Sequence, residues 1–104
     1  MKKNSTVYVL QENPSLNFTA ALDYGELTYL LPAGGIHAEP NSIVSLLKNK
    51  LKGFDPLKDY LLPVGAPFLI GVAFGIVLNR FQEISFLEYD RIESKYKLRK
   101  VSIK

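Results

Sequence analysis

Tyr60-Leu61-Leu62-Pro63-Val64-Gly65-Ala66-Pro67-Phe68-Leu69-Ile70-Gly71-Val72-Ala73-Phe74-Gly75-Ile76-Val77-Leu78 carries no charged side chain, and its reading decides the fold. Its length approaches the roughly 20 residues a bilayer-crossing helix needs. Pro63, Gly65 and Pro67, however, break any helix in the first half. The helical remainder, Pro67 to Asn79, is too short to cross about 30 Å of hydrocarbon at about 1.5 Å per residue. The stretch therefore predicts a short apolar strand over Tyr60–Val64, a turn at Gly65, and a helix opening at Pro67, where a first turn tolerates proline. That helix is apolar on every side, which predicts that it is sandwiched between other elements. Gly71 and Gly75 are expected to let it lie close to a sheet.

The segments on either side fit a layered domain. Thr6-Val7-Tyr8-Val9-Leu10 is β-branched and aromatic and reads as a first strand, closed by Glu12-Asn13-Pro14. A helical turn over Thr19–Tyr24 is expected to stop at a left-handed Gly25, and Glu26–Leu31 makes a second strand. Ile43, Val44, Leu46, Leu47 and Leu51 recur at helical spacing, with Asn41 or Ser42 suited to cap the start and Gly53 the end. Glu83–Asp90 and Lys95–Ile103 form an antiparallel hairpin turning at Arg91–Ser94. Alternating strands and helices predict an α/β fold, a small three-layer domain over residues 1–104 with a mostly parallel sheet and the hairpin at one edge.

Composition narrows the chemistry. The chain has 104 residues, 47% hydrophobic and 22% charged, enough for one modest core. With no cysteine and a single histidine, thiol catalysis, disulfides and iron–sulfur clusters are excluded, and with them structural zinc. Asp55, Asp59, Glu88 and Asp90 show no metal-ligand spacing, so no metal or cofactor is expected and no enzyme is indicated. The basic N-terminus Met1–Thr6 leads into an apolar run too short for a signal peptide. The formal net charge of +3 is concentrated toward the C-terminus, where Arg91, Lys95, Lys97, Arg99 and Lys100 lie close together. Such a strip, beside Phe86, Tyr89 and Tyr96, suits nucleic acid. It equally suits a strand edge kept charged against aggregation. Strand alternation sets Phe86 on the opposite face from Tyr89, and cross-strand aromatic pairing explains part of the set more simply.

In a parallel sheet, ligands bind beyond the carboxyl ends of the strands. Two strands leave through glycine, at Gly34-Gly35 and at Gly65-Ala66. Glycine lets backbone approach a ligand, and N–H groups at a helix start favour an anion. Gly34, Gly35, His37, Ser42, Gly65 and Ala66 are thus the candidate site for a nucleotide or other anionic small molecule. Neither segment matches a Walker or dinucleotide-binding pattern.

Asp59-Tyr60-Leu61-Leu62-Pro63-Val64-Gly65-Ala66-Pro67 followed by Ile70-Gly71-Val72-Ala73 resembles a pattern in a family of small tailed-bacteriophage proteins. Phe86–Arg91 and Tyr96 correspond to its later strand, with Tyr89 where tryptophan is usual and Ala66 where aspartate is usual. The resemblance implies a phage origin and expression in the host cytoplasm. More distantly, Gly65-Ala66-Pro67, the small-residue helix and the tyrosine-bearing hairpin are similar to the end of SAVED-type sensor domains, relatives of CARF domains. That likeness implies a stand-alone counter-defence protein that binds or sequesters a cyclic oligonucleotide signal. The alternatives are a factor that binds a host or phage protein, with homo-oligomerisation to supplement a small core, and nucleic-acid binding through the hairpin.

Overall fold

The computed structural model describes residues 4–104; Met1, Lys2 and Lys3 of the basic N-terminus lie outside the described residues. In chain order the elements are β1 (Thr6–Gln11), a 3-10 turn (Thr19–Asp23), β2 (Glu26–Leu31), α1 (Pro40–Lys50), β3 (Tyr60–Leu62), α2 (Pro67–Phe81), β4 (Glu83–Asp90) and β5 (Lys95–Ser102). They build one five-stranded sheet in the order β2-β1-β3-β4-β5. The first four strands run parallel and β5 returns antiparallel along all of β4. The mixed α/β fold with its hairpin edge is the expected one.

Strand alternation sends Val7, Val9, Leu62 and Leu87 to one face, where the 3-10 turn brings Phe18 and Ala21. Leu10, Leu61 and Ile84 face the other way, under Ile43, Leu47 and Leu51 of α1 and its end and Leu69, Ala73, Ile76 and Val77 of α2. The link from β1 to β2 travels one way along the sheet, and the links from β2 to β3 and from β3 to β4 travel the other. Crossovers of one hand must then lie on opposite faces, as they do. Among the described residues no helix is long and apolar enough to cross a membrane.

Local details depart from the sequence expectations. β3 stops at Leu62, because Pro63 has no N–H for a ladder and Val64 N–H folds back 2.9 Å onto Leu62 O. Neither Asn41 nor Ser42 caps α1: Pro40 occupies its first turn, and the Glu39 carboxylate accepts from the Asn41 and Ser42 N–H groups. Pro40 is pre-set for a helical φ and has no donor to lose, which draws the helix start two residues earlier than a cap at Asn41 would. Gly53 takes no left-handed cap either. α1 ends at Leu51 through ordinary turns, and Arg80 donates to the freed carbonyls of Leu51 and Lys52 at 3.3 and 3.2 Å. Gly25 does follow the end of the 3-10 turn, but with φ 156° rather than a left-handed helical value, and a Cβ there would come 2.4 Å from Ser5 O, so only glycine lets β2 start beside β1.

The largest difference concerns α2. It is not enclosed on all sides, and Gly71 and Gly75 do not meet the sheet: nothing lies within 4 Å of a Cβ placed on either. Leu69, Ala73, Ile76 and Val77 make the buried stripe, so Gly71 falls on the far side at 100° per residue. Phe68 shares that open side and is half-exposed.

Candidate functional site

β1 and β3 are neighbours whose outgoing links diverge toward opposite edges, so a crevice opens at their carboxyl ends. A cleft of about 190 Å³ lies there, lined by Gln11, Glu12, Asn13 and Pro14 after β1, Ala33 and Gly34 after β2, and Val64 and Gly65 after β3. The structure thus brings Gly34 and Gly65 together. Gln11, at the end of an otherwise apolar strand, ties the loops: its Nε2 donates to Gly34 O at 2.7 Å and to Pro32 O at 3.2 Å.

The remaining sequence candidates lie outside this cleft. Gly35 and His37 are exposed farther along the loop, where a Cβ on Gly35 would come 3.1 Å from His37 Nε2. Ser42 is exposed in the first turn of α1, its N–H already taken by Glu39. Ala66 is the exposed N-cap position of α2 and makes no side-chain cap. Among the described residues that line the cleft Glu12 alone is charged, a poor setting for an anion.

A larger cavity of about 670 Å³ adjoins it across Val64, which lines both. Its origin is the early end of β3. That strand bridges β4 only at Leu61↔Phe86, so the outgoing half of β4 has no parallel neighbour and a gap opens in the sheet. Side chains from both faces reach this gap. Ile70 and Phe74 of α2 and Phe86 come from the helical side, and Phe18, Leu87, Tyr89 and Tyr96 from the other. Strand alternation does set Phe86 and Tyr89 on opposite faces, yet the missing neighbour lets both border one space. Phe74 meets Phe86 edge-on at 5.1 Å between ring centroids, and Tyr89 meets Tyr96 likewise at 5.1 Å. Ser15, Asn17, Glu88 and Arg91 supply the polar part of the wall. The rim loop is shaped by two side-chain turns, Asn13 Oδ1 accepting from Ser15 N–H and Asn17 Oδ1 from Thr19 N–H. Burial first, then the neighbouring tyrosines Tyr89 and Tyr29, push the Tyr96 hydroxyl above the ordinary tyrosine value, so it stays an uncharged O–H.

Sequence reading missed this cavity and Gln11. Its one linear trace was Pro63 immediately after a strand much shorter than β4.

The basic strip is largely spoken for. Lys95 pairs with Glu93 at 3.1 Å, Lys97 with Asp90 at 2.8 Å and Arg99 with Glu88 at 2.8 Å. Arg91 and Lys100 form no salt bridge among the described residues. No three His, Asp or Glu side chains gather as metal ligands among them either.

A family model described as Phage Pam3 gp32-like protein matches residues 5–103. The chain belongs to that family. Membership in the Pam3 gp32-like family makes this a bacteriophage protein with a small α/β fold, and the match spans both cavities and the whole sheet. No curated protein and no solved structure matches the chain significantly.

Proposed function

We propose that this chain is a non-enzymatic, phage-encoded binding protein of the host cytoplasm that holds a nucleotide-type small molecule in the aromatic cavity beyond β3. The observation that carries this reading is the cavity itself. At about 670 Å³ it falls within the roughly 300–1,000 Å³ usual for small-ligand sites, and apolar walls with few polar groups are the usual composition. Rings in its wall suit the flat body of a base. Arg91, without a carboxylate partner among the described residues, suits a phosphate. The anion is assigned to Arg91 rather than to Gly34-Gly35, because Glu12 is the charge at the glycine cleft. Sequestering a defence signal would be one use, and the likeness to SAVED-type domains motivates including cyclic oligonucleotides in the test.

The test is calorimetry against nucleoside monophosphates and cyclic di- and oligonucleotides, on the native chain and on Arg91→Glu. Binding by the native chain, weakened at least about tenfold in the variant, is expected. Silence across the whole set would end the reading.

A second reading rests on the open side of α2, where Phe68 is half-exposed beside Gly71 and Gly75. There the chain would meet a host or phage protein or a second copy of itself. Sedimentation of the native chain and of Phe68→Glu decides it: a native protein that stays monomeric with and without phage-infected lysate removes this alternative.

A further inference from the structure

The small cleft beside the aromatic cavity has a chemical polarity of its own, set by Gln11. This residue is about nine-tenths buried, 9% exposed. Its Nε2 gives both hydrogens to backbone carbonyls, Gly34 O and Pro32 O. Carbonyls only accept, so the amide cannot be turned over, and Oε1 is fixed on the side of Gly65. Oε1 receives no hydrogen bond from the described residues, and it is not sealed off, since among those residues no enclosed side-chain oxygen or nitrogen lacks a partner. It therefore opens into the cleft that Gln11 lines.

Gly65 keeps it open. A Cβ there would stand 2.8 Å from Gln11 Oε1, and the backbone φ of 141° disfavours any side chain. Glu12 beside it adds a carboxylate acceptor, and among the described residues no cation lines the cleft. Such a space takes hydrogen-bond donors and turns away anions. About 190 Å³ is room for the edge of a ring rather than for a whole nucleotide.

We infer that the ligand of the aromatic cavity reaches past Val64 and presents an amino group on its ring to Gln11 Oε1. This rests on the reading of that cavity as the ligand site. Val64 borders both spaces, and one loop walls both, Glu12–Pro14 on the small side and Ser15–Phe18 on the large. The ligand is then an amino-bearing heteroaromatic ring with its anionic group at the Arg91 end. Gln11 is the residue that distinguishes amino-bearing rings from those without.

Two probes separate this from the cavity reading: adenosine 5′-monophosphate, and purine riboside 5′-monophosphate, which lacks only the ring amino group. On the native chain the first should bind about five- to tenfold more tightly, the range one neutral hydrogen bond supplies. Gln11→Met, which removes the acceptor, and Gly65→Ala, which covers it, should each bring the two affinities together while the purine riboside compound keeps its own. Equal affinities on the native chain overturn the Gln11 assignment and leave the cavity standing, a result that depends on no variant folding. Binding of neither compound overturns the Gln11 assignment, and the cavity reading falls with it only if the cyclic di- and oligonucleotides are silent too.

Discussion

Asp59 illustrates how one side chain joins distant parts of this chain. It is 3% exposed, and its two carboxylate oxygens accept from Thr6 N–H and Asp55 N–H, both at 2.9 Å. One bond holds the first residue of β1, and the other closes the turn that leads into β3. Asp59→Ala leaves two donors without partners, so unfolding free energy measured in urea should fall by about 1–3 kcal/mol. A change below about 0.5 kcal/mol would show that water replaces the carboxylate. In the hairpin, Asp90 is held below the ordinary carboxylate value, foremost by the Lys97 ammonium and then by the Glu93 and Ile92 N–H groups. A folded-state value below the unfolded one means the interaction stabilises above the ordinary carboxylate range and is lost as pH falls through the depressed value. The Ile92 and Glu93 amide resonances should therefore move together at acid pH, below the usual aspartate midpoint. Movement centred at or above that midpoint would contradict the Asp90–Lys97 pairing.

At the scale of elements, α2 separates propensity from packing. Its buried stripe holds it to the sheet, whereas Gly71 and Gly75 cost helix stability on a side that touches nothing. Gly71→Ala and Gly75→Ala should each raise unfolding free energy by about 0.5–1 kcal/mol, read from chemical denaturation. Loss of stability would mean that the glycines pack against something in solution, which would favour the self-association reading. The hairpin makes the converse point. Its lysines and arginines form a basic strip in linear sequence, yet Lys97 reaches Asp90 and Arg99 reaches Glu88 diagonally across the antiparallel pair, and Lys95 meets Glu93 of the turn. Exposed pairs of this kind add little stability, but they quench the local field. Mobility-shift titrations at physiological salt should accordingly show no DNA or RNA affinity tighter than the non-specific range of about 10⁻⁴–10⁻⁶ M. A tighter, steeply salt-dependent complex would restore the hairpin as a nucleic-acid surface.

For the whole molecule, the cavity and the fold are one consequence of strand lengths. Filling the cavity should stabilise the native state as mass action requires, by about 2.7 kcal/mol at a ligand concentration one hundred times Kd, visible as a raised melting temperature. A bound ligand that leaves the melting temperature unchanged would have to bind the unfolded chain equally well. The strands, the helices and their parallel order were legible along the chain. Period-two apolar runs, the helical spacing of Ile43, Leu47 and Leu51, and the Pro67 helix start are local signals, and each acts within a few residues. The glycines Gly34 and Gly65 were likewise legible as strand-end turns, because a backbone conformation is a property of the residue that adopts it. What lines a space between strands is not local. Gln11 became a latch because the loops after β2 and β3 converge on the end of β1, and the aromatic cavity exists because β3 ends at Leu62 while β4 runs on to Asp90. The amino-acid order alone thus determined which segments are strands and helices, since hydrophobic period and backbone preference are short-range. Tertiary structure alone decided where the cavities lie and which cations remain without partners, since both depend on the register and relative length of strands far apart in the chain.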